Sequence, residues 1–260
     1  MKQVLLIDGD EHLYKSCVAV ERVTKWDDEN HVLVSNEAEA WDLVDGKLQE
    51  ILKHFGTKDH VIALGEGEKG DGRCFRYEIE PNYKGKRKGT RKPMCYHAVR
   101  AKLFATYNCV TFDNLEADDV LGILATKPGK TERIIVARDK DMKTIPGKLW
   151  DGKSFQNVSQ EEADWWHLYQ TLIGDTTDGY PGCPGVGPKK AEVLLSPDDA
   201  AIDVLGPFLV WAWPAVVAAF NKAGLTEEDA LKQARLARIL RWTDWDSKNR
   251  EVKLWTPTTS

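Results

Sequence analysis

The sequence of 260 residues predicts an α/β fold with a mostly parallel central sheet flanked by helices, followed by a helical C-terminal part. Short apolar runs alternate with helical periodicity over residues 1–158, which is typical of parallel sheets with crossover helices. After about residue 158 only helical patterns remain, and no low-complexity linker intervenes. We therefore expect an α/β core over residues 1–158 and a helical part over 159–260 that packs on it.

The first part contains four short apolar runs that are suited to buried strands. They cover residues 4–7, 61–64, 110–112 and 134–137. Helical periodicity predicts helices over 38–55 and 95–107, and a third over 115–125 for which Asn114 is the expected cap. Residues 65–92 are rich first in glycine and then in basic residues, and they predict a long excursion from the sheet.

The second part begins with a tryptophan-rich helix over residues 161–173, which the stretch 174–179 breaks. A hairpin rich in glycine and proline follows at 181–188, and further helices are predicted near 188–195, 207–222 and 226–242. Four tryptophans in these helices are expected to be core residues rather than surfaces on which bases stack. They are Trp165, Trp166, Trp211 and Trp213.

Composition excludes several classes of protein. Hydrophobic residues make up 42% of the chain and charged residues 30%, unlike collagen or a disordered chain. No apolar run reaches the roughly 18 residues of a membrane span, and the first residues lack the apolar region of a signal peptide. The five cysteines are scattered and odd in number, which favours reduced thiols in a cytoplasmic protein over disulfides or a zinc site.

The net charge of −5 hides a local concentration of positive charge. Residues 84–92 hold six cations in nine positions, and Tyr77 and Tyr83 precede them. Cations interleaved with aromatic rings suit a single nucleic-acid strand, because phosphates bind the cations and bases stack on the rings. A solvated charged loop is the alternative interpretation of this segment.

Four groups of acidic residues stand out, because three of them follow a predicted strand or begin the helix just beyond it. They are Asp8; Glu116, Asp118 and Asp119; Asp139 and Asp141; and Asp175 with Asp178. The carboxyl ends of parallel strands meet at one edge of a sheet, where ligands bind, so these groups can converge. Two carboxylates about 4 Å apart repel each other by roughly 4 kcal/mol, so convergence requires cations.

The chemistry of this acidic set points to hard metal ions. Oxygen ligands without nearby His or Cys select Mg²⁺ or Mn²⁺ rather than zinc. Two such ions about 4 Å apart can generate hydroxide and stabilise the leaving oxygen of a phosphodiester. Taken singly, each carboxylate has a simpler interpretation, because acids are favoured in the first turn of a helix and Asp8 suits a turn.

The glycine-rich hairpin at 181–191 is a second candidate site. Gly182, Gly185 and Gly187 allow another backbone to approach closely, and Pro188 suits the first turn of the helix that follows. Backbone amides would then face a phosphate, and Lys189 or Lys190 would add charge. This pattern is a helix–hairpin–helix signature for sequence-independent binding of a nucleic-acid backbone. The alternative is a plain connection between two helices.

Taken together, these motifs resemble the 5′-nuclease superfamily, which contains flap endonucleases and the 5′-nuclease domains of bacterial DNA polymerases. The resemblance runs from Leu5 to about Leu195. Its marks are the four acidic groups, Phe75-Arg76, the run Tyr83-Lys84-x-x-Arg87, and the hairpin. A narrower resemblance, in residues 163–168, 225–229 and 237–241, is to the 5′→3′ exonucleases of short-tailed phages.

The resemblance implies a PIN-like fold and a role for each motif. Asp8, Glu116 and Asp118 match ligands of a first metal ion, with Asp119 beside them, and the later acids match a second ion. Lys84, Arg87 and Arg76 match basic residues of a helical arch, here about residues 66–107, that grips the scissile phosphate. The other residues expected to contact DNA there are Tyr83, Lys86, Lys88 and Arg91. The hairpin matches an element that binds duplex DNA and, in relatives, K⁺.

One departure from the family pattern concerns the second strand. Relatives usually carry aspartate after that strand, whereas here Glu66 follows it and Asp71 lies further on. We assign Glu66 to the metal because it directly follows the strand, and we leave Asp71 as the alternative.

The implied activity is two-metal hydrolysis from the 5′ ends of duplex DNA, with flap cleavage and removal of RNA from RNA–DNA hybrids. The implied setting is phage DNA replication, primer removal and host DNA degradation in the host cytoplasm, with replication proteins as partners. Two alternatives remain open here. Asp8-Gly9-Asp10 faintly resembles phosphatases that form an aspartyl-phosphate, and an inactive DNA-binding scaffold would keep the fold.

Overall fold

A computed structural model describes residues 3–65, 74–87, 89–196 and 207–257. Its central sheet has six strands in the order β5-β4-β1-β6-β7-β8, and every neighbouring pair is parallel except β7 with β8. The strands are β1 (Gln3–Asp8), β4 (His60–Ala63), β5 (Cys109–Val110), β6 (Glu132–Val136), β7 (Gly147–Trp150) and β8 (Phe155–Val158). The predicted α/β class with a mostly parallel sheet is confirmed.

Helices cover both faces of this sheet. They are α1 (Gly9–Ala19), α2 (Glu37–Phe55), α4 (Tyr96–Thr106) and α5 (Ala117–Thr126). Leu5 and Ile7 of β1 pack among the first three helices, whereas Leu6 points to the opposite face and packs against α5. Because both faces of β1 are buried, its sequence is a continuous apolar run rather than an alternating one.

Several elements were not predicted from the sequence, among them helix α1, strands β7 and β8, and two shorter features. The hairpin of β2 (Arg22–Lys25) and β3 (His31–Val34) is antiparallel and separate from the main sheet. Most of its residues are exposed, and the short apolar run at residues 32–34 was not predicted as a strand. The one-turn helix α3 (Arg76–Ile79) follows Phe75 and carries a buried arginine.

The second part is helical, as the sequence predicts. It contains α6 (Gln160–Ile173), α7 (Pro188–Leu194), α8 (Phe208–Lys222) and α9 (Glu227–Ala237). These helices share a cluster that buries Trp213 and Phe220, and Trp165 and Trp211 pack against it half-buried. No single helix within the described residues is long and apolar enough to cross a membrane. Helices α8 and α9 taken together would be long and apolar enough, but a bend of 119° separates them.

Two predicted boundaries are wrong. Helix α9 ends at Ala237 rather than near residue 242, because Arg238 is extended and the chain then runs back along α5. Strands β9 (Trp245–Asp246) and β10 (Glu251–Val252) follow as a small antiparallel pair. The cap of α5 is Glu116 and not Asn114, whose φ of 58° lies in the left-handed region.

The return segment, residues 238–241, packs so closely on α5 that it constrains Gly122. A Cβ added at Gly122 would lie 2.2 Å from the carbonyl oxygen of Leu240. We therefore expect Gly122→Ala to lower the free energy of unfolding by about 2 kcal/mol or more, measured by urea denaturation. Gly46→Ala is the matched control on exposed helix surface, where an added Cβ meets nothing within 4 Å. It should stabilise by up to about 1 kcal/mol, and equal losses in both variants would contradict the packing argument.

Candidate functional site

The sheet brings the first acidic groups to one edge. Asp8 ends β1 and caps α1, with its Oδ1 accepting the amide of Glu11 at 3.1 Å. Asp139 follows the neighbouring strand β6, and its carboxylate accepts the amide of Asp141 at 2.9 Å. Glu116 caps α5, which packs against β1. Each carboxylate is thus fixed by a strand end or a helix start, where backbone amides favour negative charge.

The pKa values show that these carboxylates face one another. Burial, together with the charges of Asp10, Glu11 and Asp139, raises the pKa of Asp8 to about 7. Burial also raises the pKa of Asp118 well above its ordinary value, with the charges of Asp8, Glu116 and Asp139 adding to the effect. Repulsion of this kind favours the neutral acid unless a cation compensates the charge.

The second acidic group lies between the end of β6 and the loop after α6. Burial raises the pKa of Asp141 to about 6, and the charges of Asp139, Asp175 and Asp178 contribute. The carboxylate of Asp175 accepts the amides of Thr177 at 2.6 Å and Asp178 at 3.0 Å, which fixes the loop. The two groups therefore share Asp139 as a common neighbour.

Tyr83 and Lys84 bridge the two groups. The Tyr83 hydroxyl lies 3.0 Å from a carboxylate oxygen of Glu116 and 3.0 Å from one of Asp178. The Lys84 ammonium contacts Glu116 and lies 3.6 Å from Asp178. Although burial alone would raise it, these cationic contacts from Lys84 and Arg76 lower the pKa of Glu116 to about 2. The backbone of Lys84 has a φ of 50°, and its amide donates to the Asp178 carbonyl at 2.7 Å.

The donor set fits a hard divalent cation in chemistry and charge. All its members are carboxylates, which select Mg²⁺ or Mn²⁺, and the raised pKa values mark charge that the protein itself does not fully compensate. Within the described residues, no three His, Cys, Asp or Glu side chains are placed so that they could hold an ion as they stand. These carboxylate side chains would therefore have to rearrange in order to bind an ion.

The structure places Arg76 and Asp119 in a buried ion pair with each other. Arg76 is 3% exposed, and its guanidinium donates to both Asp119 oxygens at 2.7 and 2.8 Å and to Glu116 at 3.0 Å. Asp119 is fully buried and also accepts the Leu240 amide at 3.1 Å. In this arrangement the guanidinium of Arg76 binds carboxylates rather than a phosphate, and the carboxylate of Asp119 binds Arg76 rather than a metal. The roles of both residues at the phosphate and the metal stay predictions.

Two of the predicted DNA contacts, Tyr83 and Gly182, are buried in the structure. Tyr83 is 2% exposed, so its ring cannot stack on a base, and its hydroxyl serves the carboxylates instead. Gly182 is buried, and its amide donates to the side chain of Gln233 at 2.9 Å rather than facing outward. Position 182 requires glycine, because an added Cβ there would lie 2.4 Å from the Gly174 nitrogen.

The rest of the hairpin is on the surface. Gly185 and Gly187 are exposed, and an added Cβ at either would meet nothing within 4 Å, so another molecule's backbone can approach. Lys189 is exposed at the start of α7. The Lys190 ammonium donates to the Gly185 carbonyl at 3.1 Å, which braces the turn.

The basic segment is described only in part. Lys86 is exposed, whereas Arg91 pairs with Glu21 at 2.5 Å on the surface. The side chain of Arg87 and the residues Lys88, Glu66 and Asp71 lie outside the described residues. The placement of the arch, and the choice between Glu66 and Asp71, therefore stay predictions.

Sequence reasoning missed two residues that support the site. Asp10 accepts the Gly65 amide at 2.9 Å, and burial raises its pKa. Gln170 of α6 is 8% exposed, and its amide donates to Asp141 at 2.5 Å. Asp10 stood in the Asp-Gly-Asp run and could have been found there, whereas a single glutamine on an amphipathic helix gives no such signal.

Comparison with known proteins gives a consistent result. A family model described as the 5′-3′ exonuclease, N-terminal resolvase-like domain matches residues 3–163. The exodeoxyribonuclease of Enterobacteria phage T3 is 32% identical over 98% of this chain and 93% of its own length. The exonuclease of Escherichia phage T7 is 31% identical over 98% of this chain and 94% of its own length.

Two further similarities involve flap endonucleases and solved structures. The flap endonuclease Xni of Shewanella halifaxensis is 30% identical over 64% of this chain and 71% of its own length. A solved structure of T5 5′-exonuclease with divalent zinc ions has a TM-score of 0.55 over 91% of this chain and 89% of that chain. At 14% identity, that likeness is one of fold.

The adjacent residues Asp118 and Asp119 should respond oppositely to removal. Asp119→Ala leaves the buried guanidinium of Arg76 without its main partner, so we expect a loss of about 3–5 kcal/mol in the free energy of unfolding. Asp118→Ala removes a repelling charge, so stability without divalent ions should stay equal or rise. Urea denaturation at pH 7 of both variants measures this difference. Similar losses in the two variants would show that Asp119 has no special structural role.

Proposed function

This chain belongs to the 5′-3′ exonuclease family, whose relatives include phage exonucleases and flap endonucleases, and on that premise we propose that it hydrolyses duplex DNA from 5′ ends with divalent metal ions. The observation that carries the proposal is the meeting of the two acidic groups at one sheet edge, bridged by Tyr83 and Lys84. We propose two ions, Mg²⁺ or Mn²⁺, because one ion would leave most of the carboxylate charge uncompensated.

In this proposal the carboxylates divide between two ions. Asp8, Glu116 and Asp118 hold the first, and Asp139, Asp141, Asp175 and Asp178 hold the second. Metal ions in such a site lower the pKa of bound water and stabilise the leaving oxygen of the phosphodiester. Lys84 lies between the groups and is the cation placed to meet negative charge that develops on the scissile phosphate. Gln170 holds one oxygen of Asp141, which orients that carboxylate.

The hairpin is proposed to hold the duplex away from the reacting bond. Gly185, Gly187 and Lys189 present backbone and charge on the surface, which suits phosphates of any sequence. Binding of K⁺ at the hairpin stays an inference from the resemblance. The division into a core over 1–158 and a helical part over 159–260 is likewise proposed, with the core supplying most of the carboxylates.

Further activities follow from the relatives. Similarity along 98% of the chain to phage exonucleases supports a role in phage DNA replication, primer removal and host DNA degradation. We propose the host cytoplasm as its location and replication proteins as its partners. Similarity to the flap endonuclease Xni supports flap cleavage. We propose that the same hydrolysis also removes the RNA strand of RNA–DNA hybrids.

Family membership removes the basis for the phosphatase alternative. An inactive scaffold is disfavoured because every described acidic group that the pattern requires is present and converges with its neighbours.

Digestion of labelled substrates tests the proposed function. Duplex, flap and hybrid substrates should yield short products from their 5′ ends with Mg²⁺ or Mn²⁺, and none after chelation. Asp118→Ala should abolish turnover while the protein stays folded, whereas Asp113→Ala, an exposed aspartate paired with Arg250, should cut like the unchanged protein. Full activity in Asp118→Ala, or activity without divalent ions, would contradict the proposal.

Lys84 and Lys189 should separate chemistry from binding. Lys84→Ala is expected to lower the single-turnover rate by roughly 10²- to 10³-fold with little change in affinity, since it removes one electrostatic donor to the transition state. Lys189→Ala should weaken duplex binding with near-normal chemistry at saturation. Single-turnover rates and dissociation constants measure both effects. If Lys84→Ala changes affinity alone, its place over the reacting phosphate is wrong.

A further inference from the structure

A cavity of about 130 Å³ lies beside the carboxylates, between α1, α2 and the carboxyl ends of β6 and β7. Val136 and Ala137 line it, and Asp139 follows Ala137 two residues later in the chain. Glu11 forms another part of its wall, and the amide of Glu11 donates to Asp8. The cavity therefore opens at the same sheet edge as the proposed metal site and shares a wall with it.

The two carboxylates of the cavity already have cationic partners. Glu11 pairs with Lys15 at 2.7 Å and accepts the Arg138 amide at 3.3 Å. Glu50 pairs with Lys47 at 2.6 Å. Neither acid is therefore an open acceptor that would repel an incoming anion with its full charge.

Three nitrogen-bearing side chains of the cavity other than Lys47 are not paired in this way. The guanidinium of Arg138 and the imidazoles of His12 and His54 make no hydrogen bond or ion pair within the described parts of the chain. Burial lowers the pKa of His12, and the nearby charges of Arg138, Lys47 and Lys15 lower it further, although Glu11 acts in the opposite direction. Because Lys15 and Lys47 already pair with Glu11 and Glu50, Arg138 is the cation of the described lining that is placed to meet an anion.

An aromatic stack forms the rim of the cavity. The exposed ring of His54 stacks on Trp150 with centroids 4.8 Å apart and planes 26° apart. Phe155 packs on Trp150 at 4.8 Å, which fixes the stack from behind. A flat heteroaromatic group can extend such a stack across the outer face of His54.

We propose that this cavity binds a nucleoside 5′-monophosphate unit, with its phosphate at Arg138 and its base against His54. The volume of 130 Å³ is well below the roughly 300 Å³ of a typical small-molecule site, so it takes the phosphate and leaves the base at the rim. The inference rests on the proposed function in one respect, because hydrolysis at the neighbouring carboxylates generates 5′-phosphate groups. Such a unit has two sources, the released mononucleotide and the 5′-terminal nucleotide of the DNA.

Calorimetric titration of the full chain without divalent ions tests the site independently of catalysis. Deoxyadenosine 5′-monophosphate should bind, inorganic phosphate should bind more weakly, and deoxyadenosine should not bind measurably. Arg138→Ala should weaken binding of the monophosphate by about tenfold or more, because it removes a charge-assisted contact. His54→Ala should weaken binding of the monophosphate but not of inorganic phosphate.

Lys53→Ala is the matched control. Lys53 is an exposed cation of α2 outside the cavity, so its loss should change the dissociation constant by less than about twofold. Absence of binding by the monophosphate, or equal weakening in Arg138→Ala and Lys53→Ala, would overturn the proposed cavity site. Either result would leave the nuclease assay of the Asp118→Ala variant unaffected, so failure of this site and failure of the proposed function are distinguishable.

A second experiment distinguishes the two sources of the bound nucleotide, which are the released mononucleotide and the 5′-terminal nucleotide of the DNA. If the site holds the terminal nucleotide, Arg138→Ala should lower kcat/KM on 5′-phosphorylated duplex more than on 5′-hydroxyl duplex. If it holds the released product, Arg138→Ala should abolish inhibition by added monophosphate and leave both kcat/KM values unchanged. Either pattern supports the site. Unchanged inhibition together with unchanged kcat/KM on both duplexes would overturn it.

Discussion

The buried ion pair between Arg76 and Asp119 is the interaction on which the rest of the site depends. Arg76 also donates to the carbonyls of Leu236 and Arg238, and Asp119 accepts the Leu240 amide. The pair thus joins the segment before the basic run, the start of α5 and the chain that returns from α9. Because Asp119 also accepts the Glu116 amide at 3.4 Å, the position of Glu116 is set by the same network. Removing one partner alone would leave an uncompensated buried charge, which costs more than losing both.

This support is needed because the neighbouring carboxylates repel one another. The raised pKa values of Asp8, Asp118 and Asp141 have burial as their largest cause, and like charge from neighbouring carboxylates adds to it. A fold does not gain stability from such a cluster, so the cluster has to be held by interactions that lie outside it. Tyr83 and Lys84 supply part of that support from one side, and the network behind Asp119 supplies it from the other.

The sequence predicts what depends on local pattern. Apolar runs located β1, β4 and β6, and the acids that follow them were placed at one sheet edge by topology alone. It did not predict the exposed β2–β3 hairpin, which stands apart from the main sheet, or the end of α9, which tertiary packing on Gly122 decides. The family pattern also grouped Arg76 and Asp119 with the ligand-binding residues. Only burial distinguishes an arginine that binds phosphate from one that neutralises an aspartate, and burial cannot be read from one sequence.

The most direct test of this account is the affinity of the double variant Arg76→Met with Asp119→Leu for Mn²⁺, measured by calorimetry alongside its urea denaturation. Replacing both charges with apolar side chains of similar size leaves no unpaired charge inside, although the Leu236 and Arg238 carbonyls and the Leu240 amide lose their partners, so the urea denaturation establishes that the variant is folded. If the pair positions Glu116 and Asp118, the folded double variant should bind Mn²⁺ about tenfold or more weakly than the unchanged protein. A folded double variant with unchanged Mn²⁺ affinity would contradict the claim that this ion pair organises the site.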